Sequence, residues 1–191
     1  DFFAPGVILR NLSEIVGTTC FMTALSLIDI SMASAILQAT PLAVTVGAVL
    51  FLGETVGWRR WVAILVGLVG VLLILRPGAA SFDPLALWAV GGMLVLAMRD
   101  LSTRMVPHAM PTLRLATYGM SMLVPTGVIL MVLGQHPVAM SPVHMVIVSC
   151  AILFGVAGYY GITAAMRAGD ISVVSPFRYS RILFALLIGV L

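Results

Sequence analysis

Two arginines three residues apart, Arg178 and Arg181, stand in the segment "DISVVSPFRYSR" at 170–181, directly ahead of the apolar run "ILFALLIGVL". A guanidinium is a planar fork that grips a carboxylate or phosphate at two points. At the centre of a bilayer an arginine costs about 2.5–3.5 kcal/mol, while each Leu, Ile, Phe or Val returns about 0.3–0.6. The pair therefore costs on the order of 5–7 kcal/mol, against about 3–6 returned by the apolar residues of 171–191. A partner, water or a ligand has to hold the charges. Snorkelling to the interface is one solution; a polar cavity shared with a substrate is the other. Ser175, Arg178, Ile182, Ala185 and Gly189 follow helical steps, giving a face that is polar at one end and small beyond it. Helices pack through such faces in membranes, which turns the arginines toward protein.

Few other residues carry chemistry. Glu14 is the carboxylate that lies clearly inside an apolar run. It is either a substrate contact or an i,i+4 partner of Arg10 at the membrane edge. Tyr159 and Tyr160 are able to stack on a planar substrate or to fill a core. Motifs of nucleophilic, metal and phosphate chemistry are missing: there is no GxSxG, HExxH, CxxC or Walker loop. His136 and His144 have no carboxylate partner nearby in sequence, and Gly91-Gly92 reads as a packing feature. The expectation is a protein without catalytic residues, metal or cofactor.

The elements that must position these residues belong in a bilayer. Of 191 residues 61% are hydrophobic and only 9% charged, with mean hydropathy +1.16. All positive charges are arginine, scattered one or two per polar gap rather than in a basic stripe, which argues against nucleic acid. Cys20 and Cys150 lie in apolar runs and read as unpaired thiols.

Stretches of about 20 apolar residues mark membrane helices. Gly, Pro and charge bound seven of them, near 11–28, 30–52, 58–76, 84–103, 113–133, 143–166 and 171–191. The fourth is the weakest, because "RDLSTR" shortens its apolar part to Pro84–Met98. With alternating sides, Arg10, Arg59, Arg60, Arg99, Arg104, Arg114 and Arg167 share one face and Arg76 stands alone on the other. The positive-inside rule makes the first face cytoplasmic.

An internal repeat organises the spans. Shifted by 141 residues, 24–50 aligns without gaps on 165–191 with eight of 27 pairs identical, including Asp29-Ile30-Ser31 on Asp170-Ile171-Ser172. In this register Gln38 and Thr40 fall on Tyr179 and Arg181, which makes Gln38 and Tyr179 candidate substrate contacts as well. Five spans separate the copies, so the repeat is inverted, as in many secondary transporters with a site near the midplane. Pro41 and Pro176 break the helical ladder in the two copies, and freed carbonyls are tolerated only against protein or a cavity.

"ASAILQATPLAVTVGAVLFLGETVGWRRWVAILVGLVGVLLILRPG" (33–78) and "GYYGITAAMRAGDISVVSPFRYSRILFALLIGVL" (158–191) resemble EamA-type members of the drug/metabolite transporter superfamily. The telling features are Gly-Glu after a proline-containing helix, Arg-Pro-Gly ending the next, and "SPFRYS". The resemblance implies an all-α integral membrane protein built as an inverted repeat of five-helix units. It implies ten helices in the full-length protein, about seven of them here, with residues 1–78 as helices three to five of the first unit. Residues 84–191 would then hold helices six to nine of the second, the last one truncated. The expected function is secondary transport of a small polar or anionic metabolite across the bacterial inner membrane by alternating access. A flippase or exporter of lipid-linked or drug-like molecules, a membrane scaffold and an intramembrane enzyme are the alternatives. Lipid and a small-molecule substrate are the expected partners, and a homodimer is compatible with the reading.

Overall fold

A computed structural model describes residues 2–75, 83–134 and 140–174. The described elements are helices in chain order: α1 (Pro5–Leu27), α2 (Ile30–Leu37), α3 (Thr40–Leu52), α4 (Trp58–Leu75), α5 (Ala86–Met105), α6 (Thr112–Ser121), α7 (Leu123–Val132), α8 (Pro142–Ala168) and α9 (Ile171–Val174). Pro5 and Pro142 open α1 and α8, where a missing N–H costs nothing. Gly53 ends α3 at φ 68°, a left-handed conformation that glycine adopts without strain.

Two spans are interrupted at proline. Pro41 lacks the N–H that would bond the Leu37 carbonyl, and the Thr40 hydroxyl donates to that carbonyl instead. Gln38 and Ala39 form the joint, so α2 and α3 make one span, Ile30–Leu52. Pro125 stands in the same relation to Ser121, where α6 gives way to α7 at Met122. Ile30–Leu52, Ala86–Met105, Thr112–Val132 and Pro142–Ala168 are each long and apolar enough to cross a membrane. The outer surface fits that reading: on α8, Val146, Leu153 and Phe154 are all exposed. The chain is a multi-pass, all-α membrane protein.

The helices lie close to the first six spans expected from sequence, with one informative difference, while the seventh beyond Val174 lies outside the described residues. α1 begins at Pro5 rather than near 11, which takes Arg10 off the polar gap and into the helix. Arg99, Arg104 and Arg167, also expected in gaps, lie within α5 and α8.

α1 and α5 form the tightest pair. A Cβ on Gly92 would stand 2.9 Å from the Phe21 backbone nitrogen and 3.1 Å from the Gly17 carbonyl. One on Gly17 would meet Leu96 at 2.9 Å. Small residues that let backbones approach are the usual means of helix association in lipid, where no hydrophobic force separates helix from tail. Ala24, Ile36, Ala89 and Met93 pack beside this crossing, and Val44, Ala48, Ala97, Leu101 and Met166 form a second core.

Candidate functional site

The close approach of α1 and α5 sets their polar residues against each other. Glu14 lies about 14 Å along α1 from Pro5, Arg99 about 9 Å from the end of α5, and Tyr159 about 14 Å from the end of α8. All three reach the same point. Arg99 Nη1 donates to both Glu14 oxygens, at 3.1 and 3.4 Å, while its Nε and Nη2 donate to Asp100 Oδ1 at 2.9 and 2.7 Å. The Tyr159 hydroxyl donates to Glu14 Oε2 and accepts from Arg10 Nη2 at 3.0 Å. Arg10 Nε donates to Thr103 Oγ1 at 3.0 Å, and Thr103 in turn donates to the Arg99 carbonyl. Both guanidinium carbons stand over the Tyr159 ring, at 5.6 and 5.7 Å.

This network is largely buried. Arg10 is 1% exposed and Glu14 3%. The charges match, two guanidinium groups against two carboxylates, as buried charges must. A cavity of about 10 Å³ lies among Arg10, Arg99, Asp100, Thr103, Tyr159 and Thr163. That is room for one water and no metabolite. Gly119 on α6 closes the remaining side, since a Cβ there would overlap the Tyr159 hydroxyl and Arg10 Nη1.

A second polar cluster clasps the end of α8 to the α5–α6 loop. Arg167 Nη1 donates to the Met110 carbonyl at 2.8 Å and Nη2 to the Pro107 carbonyl at 2.9 Å. Arg104 Nη1 donates to the Arg167 carbonyl at 2.9 Å. Next to Arg104, a cavity of about 460 Å³ is lined by Gly53, Glu54, Thr55 and Asp170. Another, of about 550 Å³ between α3, α4 and α5, has only apolar side chains and glycine in its wall and so has nothing to orient a polar molecule.

Of the residues singled out in sequence, the fold brings Glu14 and Tyr159 into hydrogen-bond contact across 145 positions. Tyr160 faces outward, 44% exposed. Gln38 sits half-buried at the α2–α3 joint beside Ala39, which shares a core cluster with Met93, about 9 Å along α5 from Arg99. Arg178, Tyr179, Arg181 and Pro176 lie outside the described residues. The edge pairing of Glu14 with Arg10 is replaced: the ion partner of Glu14 is Arg99, and Arg10 turns to Thr103 and Tyr159. Arg99 and Asp100 were missed, because "RDLSTR" read as the end of an apolar span. A signal was present, since Arg10/Glu14 and Arg99/Thr103 are i,i+4 sets on two spans. Among the described residues no three His, Cys, Asp or Glu side chains come together as a metal site.

Residues 5–76 match the model of the EamA-like transporter family. The S-adenosylmethionine uptake transporter of Rickettsia bellii (strain RML369-C) is 37% identical over 94 residues, 49% of this chain and 32% of that protein. The riboflavin transporter of Vibrio cholerae is 27% identical over 184 residues, 95% of this chain and 61% of that protein. The S-adenosylmethionine uptake transporter of Rickettsia conorii is 26% identical over 180 residues, 94% and 60% respectively. The chain thus spans at most about three fifths of these relatives' length. No solved structure matches it.

Proposed function

We propose, from the match of residues 5–76 to the EamA-like transporter family model, that the protein is a secondary transporter of a small polar metabolite, working by alternating access in the bacterial inner membrane. One observation carries this reading: the buried network of Arg10, Glu14, Arg99, Asp100 and Tyr159, which joins α1 to α5 and α8. In the two-unit division of the chain, α1 belongs to residues 1–78 while α5 and α8 belong to 84–191. The network is then a gate between the units, closed here, on the face that the arginine excess makes cytoplasmic. Opening exchanges internal hydrogen bonds for bonds to water and substrate, so the two states differ by little and a substrate is able to tip them.

The charge balance bears on the substrate. Among the described residues, Glu14 and Asp100 balance Arg10 and Arg99, so this network by itself carries no net charge to draw an anion. A neutral or zwitterionic polar metabolite suits this site better. Relatives named for the transport of riboflavin, a neutral compound, and of S-adenosylmethionine, whose sulfonium leaves a net positive charge, agree in favouring a substrate that is not an anion. The scaffold alternative calls for an all-apolar interface between the units, and a charged network lies beside the apolar crossing of α1 and α5. The enzyme alternative calls for a free acid or base, and both carboxylates of the network are held by Arg99.

The test is uptake by the complete protein in proteoliposomes, against riboflavin, S-adenosylmethionine, amino acids and nucleosides. Substrate-specific, saturable movement of at least one is expected. Well-inserted protein that moves none of them refutes the reading.

A further inference from the structure

Five buried side-chain atoms lack a hydrogen-bond partner among the described residues, and three of them sit on the neighbours Arg10 and Asn11. They are Arg10 Nη1 and both the oxygen and the nitrogen of the Asn11 amide. Asn11 is 4% exposed, so water does not supply the missing bonds from the surface. Buried polar groups are nearly always paired, and an unmade bond is costly. Asn11 follows Arg10 on α1, one turn before Glu14, and an amide left unpaired at both ends calls for a partner that this arrangement does not supply.

The atoms define what that partner offers. An asparagine amide presents an acceptor and a donor side by side, and its complement is a donor next to an acceptor on one planar edge. Asparagine reads the N6/N7 edge of adenine in this way. The imide edge of a flavin, an N–H flanked by carbonyl oxygens, has the same pattern. A lone carboxylate or ammonium group satisfies only half of it. Arg10 Nη1 adds a donor for one further acceptor.

Building on the transporter reading above, we propose that Asn11 and Arg10 are specificity-determining residues of the substrate site. Asn11 pairs with the donor–acceptor edge of a fused nitrogen heterocycle, and Arg10 Nη1 with an adjacent acceptor. The cavity of about 10 Å³ beside Arg10 is too small for such a ring. Asn11 and Arg10 therefore meet the ring when α1 parts from α5, α6 and α8, since Arg10 Nη1 packs against Gly119 of α6 in the closed arrangement. Until then their unpaired atoms weigh against the closed state.

The experiment uses the complete protein in nanodiscs, with riboflavin and 3-methylriboflavin as probes; the methyl group removes the imide N–H and leaves the rest of the ring. The parent should bind riboflavin roughly 10- to 100-fold more tightly than the methylated probe. Asn11→Leu should bind riboflavin more weakly by about the same factor and lose the discrimination. It should melt no lower than the parent, because it replaces unpaired polar atoms with an apolar group. Parental affinity and discrimination in Asn11→Leu overturn the proposal. So does an Asn11→Leu protein that melts far below the parent and binds nothing, which makes Asn11 structural. So too does a parent that binds neither riboflavin nor S-adenosylmethionine. If that parent still transports an amino acid or another polar metabolite, the transporter reading stands without the heterocycle; if it transports nothing, both fall.

Discussion

Glu14→Gln weakens the gate without changing its shape. The substituted amide oxygen, in the place of Oε2, is able to accept from Tyr159 and Arg99, while the amide nitrogen removes the acceptor that Arg99 Nη1 uses at 3.1 Å, so the loss is one charge-assisted bond and the charge on the others. A hydrogen bond to a charged group contributes about 1.5–3 kcal/mol against about 1 for a neutral one. Arg99 keeps Asp100, at 2.7 and 2.9 Å, so it is not stranded. That separates this change from full removal of a buried partner, which costs about 3–5 kcal/mol. The closed state should therefore lose about 2 kcal/mol, a shift of about 30-fold toward the open one. Thr163→Cys provides the readout, since Thr163 lines the small cavity and is 3% exposed. In inverted vesicles, with Cys20 and Cys150 replaced, that thiol should react with a maleimide about 10- to 30-fold faster in the Glu14→Gln background. Transport per molecule should fall. Unchanged labelling with unchanged transport would refute the gate and leave the network as packing.

Gly92→Leu should separate α1 from α5, because its Cβ would press on backbone that has nowhere to go. A loss of about 1–3 kcal/mol in detergent unfolding is expected, while Gly127→Ala, which meets nothing within 4 Å, should melt as the parent does. Sidedness is tested with single cysteines at Gly57 and Ala109, both exposed in the fold. They should resist an impermeant reagent applied to whole cells while one at Ala80 reacts, and the opposite pattern would reverse the topology. Arg178→Lys should insert normally yet transport poorly if its planar fork holds substrate, whereas near-parental transport by both Arg178→Lys and Arg178→Leu would make Arg178 an anchor.

What the sequence alone determined is whatever lipid and local geometry dictate. Helix positions followed from apolar length, and the α2–α3 joint from Pro41, because a bilayer leaves backbone polar groups no partner outside the helix. Glu14 stood out for the same reason, as a charge that an apolar run does not explain. The partner of that charge was not legible. The i,i+4 rule compares residues on one helix, so it offered Arg10, which is four positions away. Arg99 lies 85 positions away and Tyr159 lies 145. Only the approach of α1 to α5 at Gly17 and Gly92, with α8 packed against α5, brings Arg99 and the long Tyr159 side chain within reach of Glu14. The same crossing buried Arg10 and Asn11, two residues that looked like the polar edge of a span. Tertiary packing decided which polar atoms found partners and which were left waiting for one, because burial on a helix face depends on what the neighbouring helix presents to it.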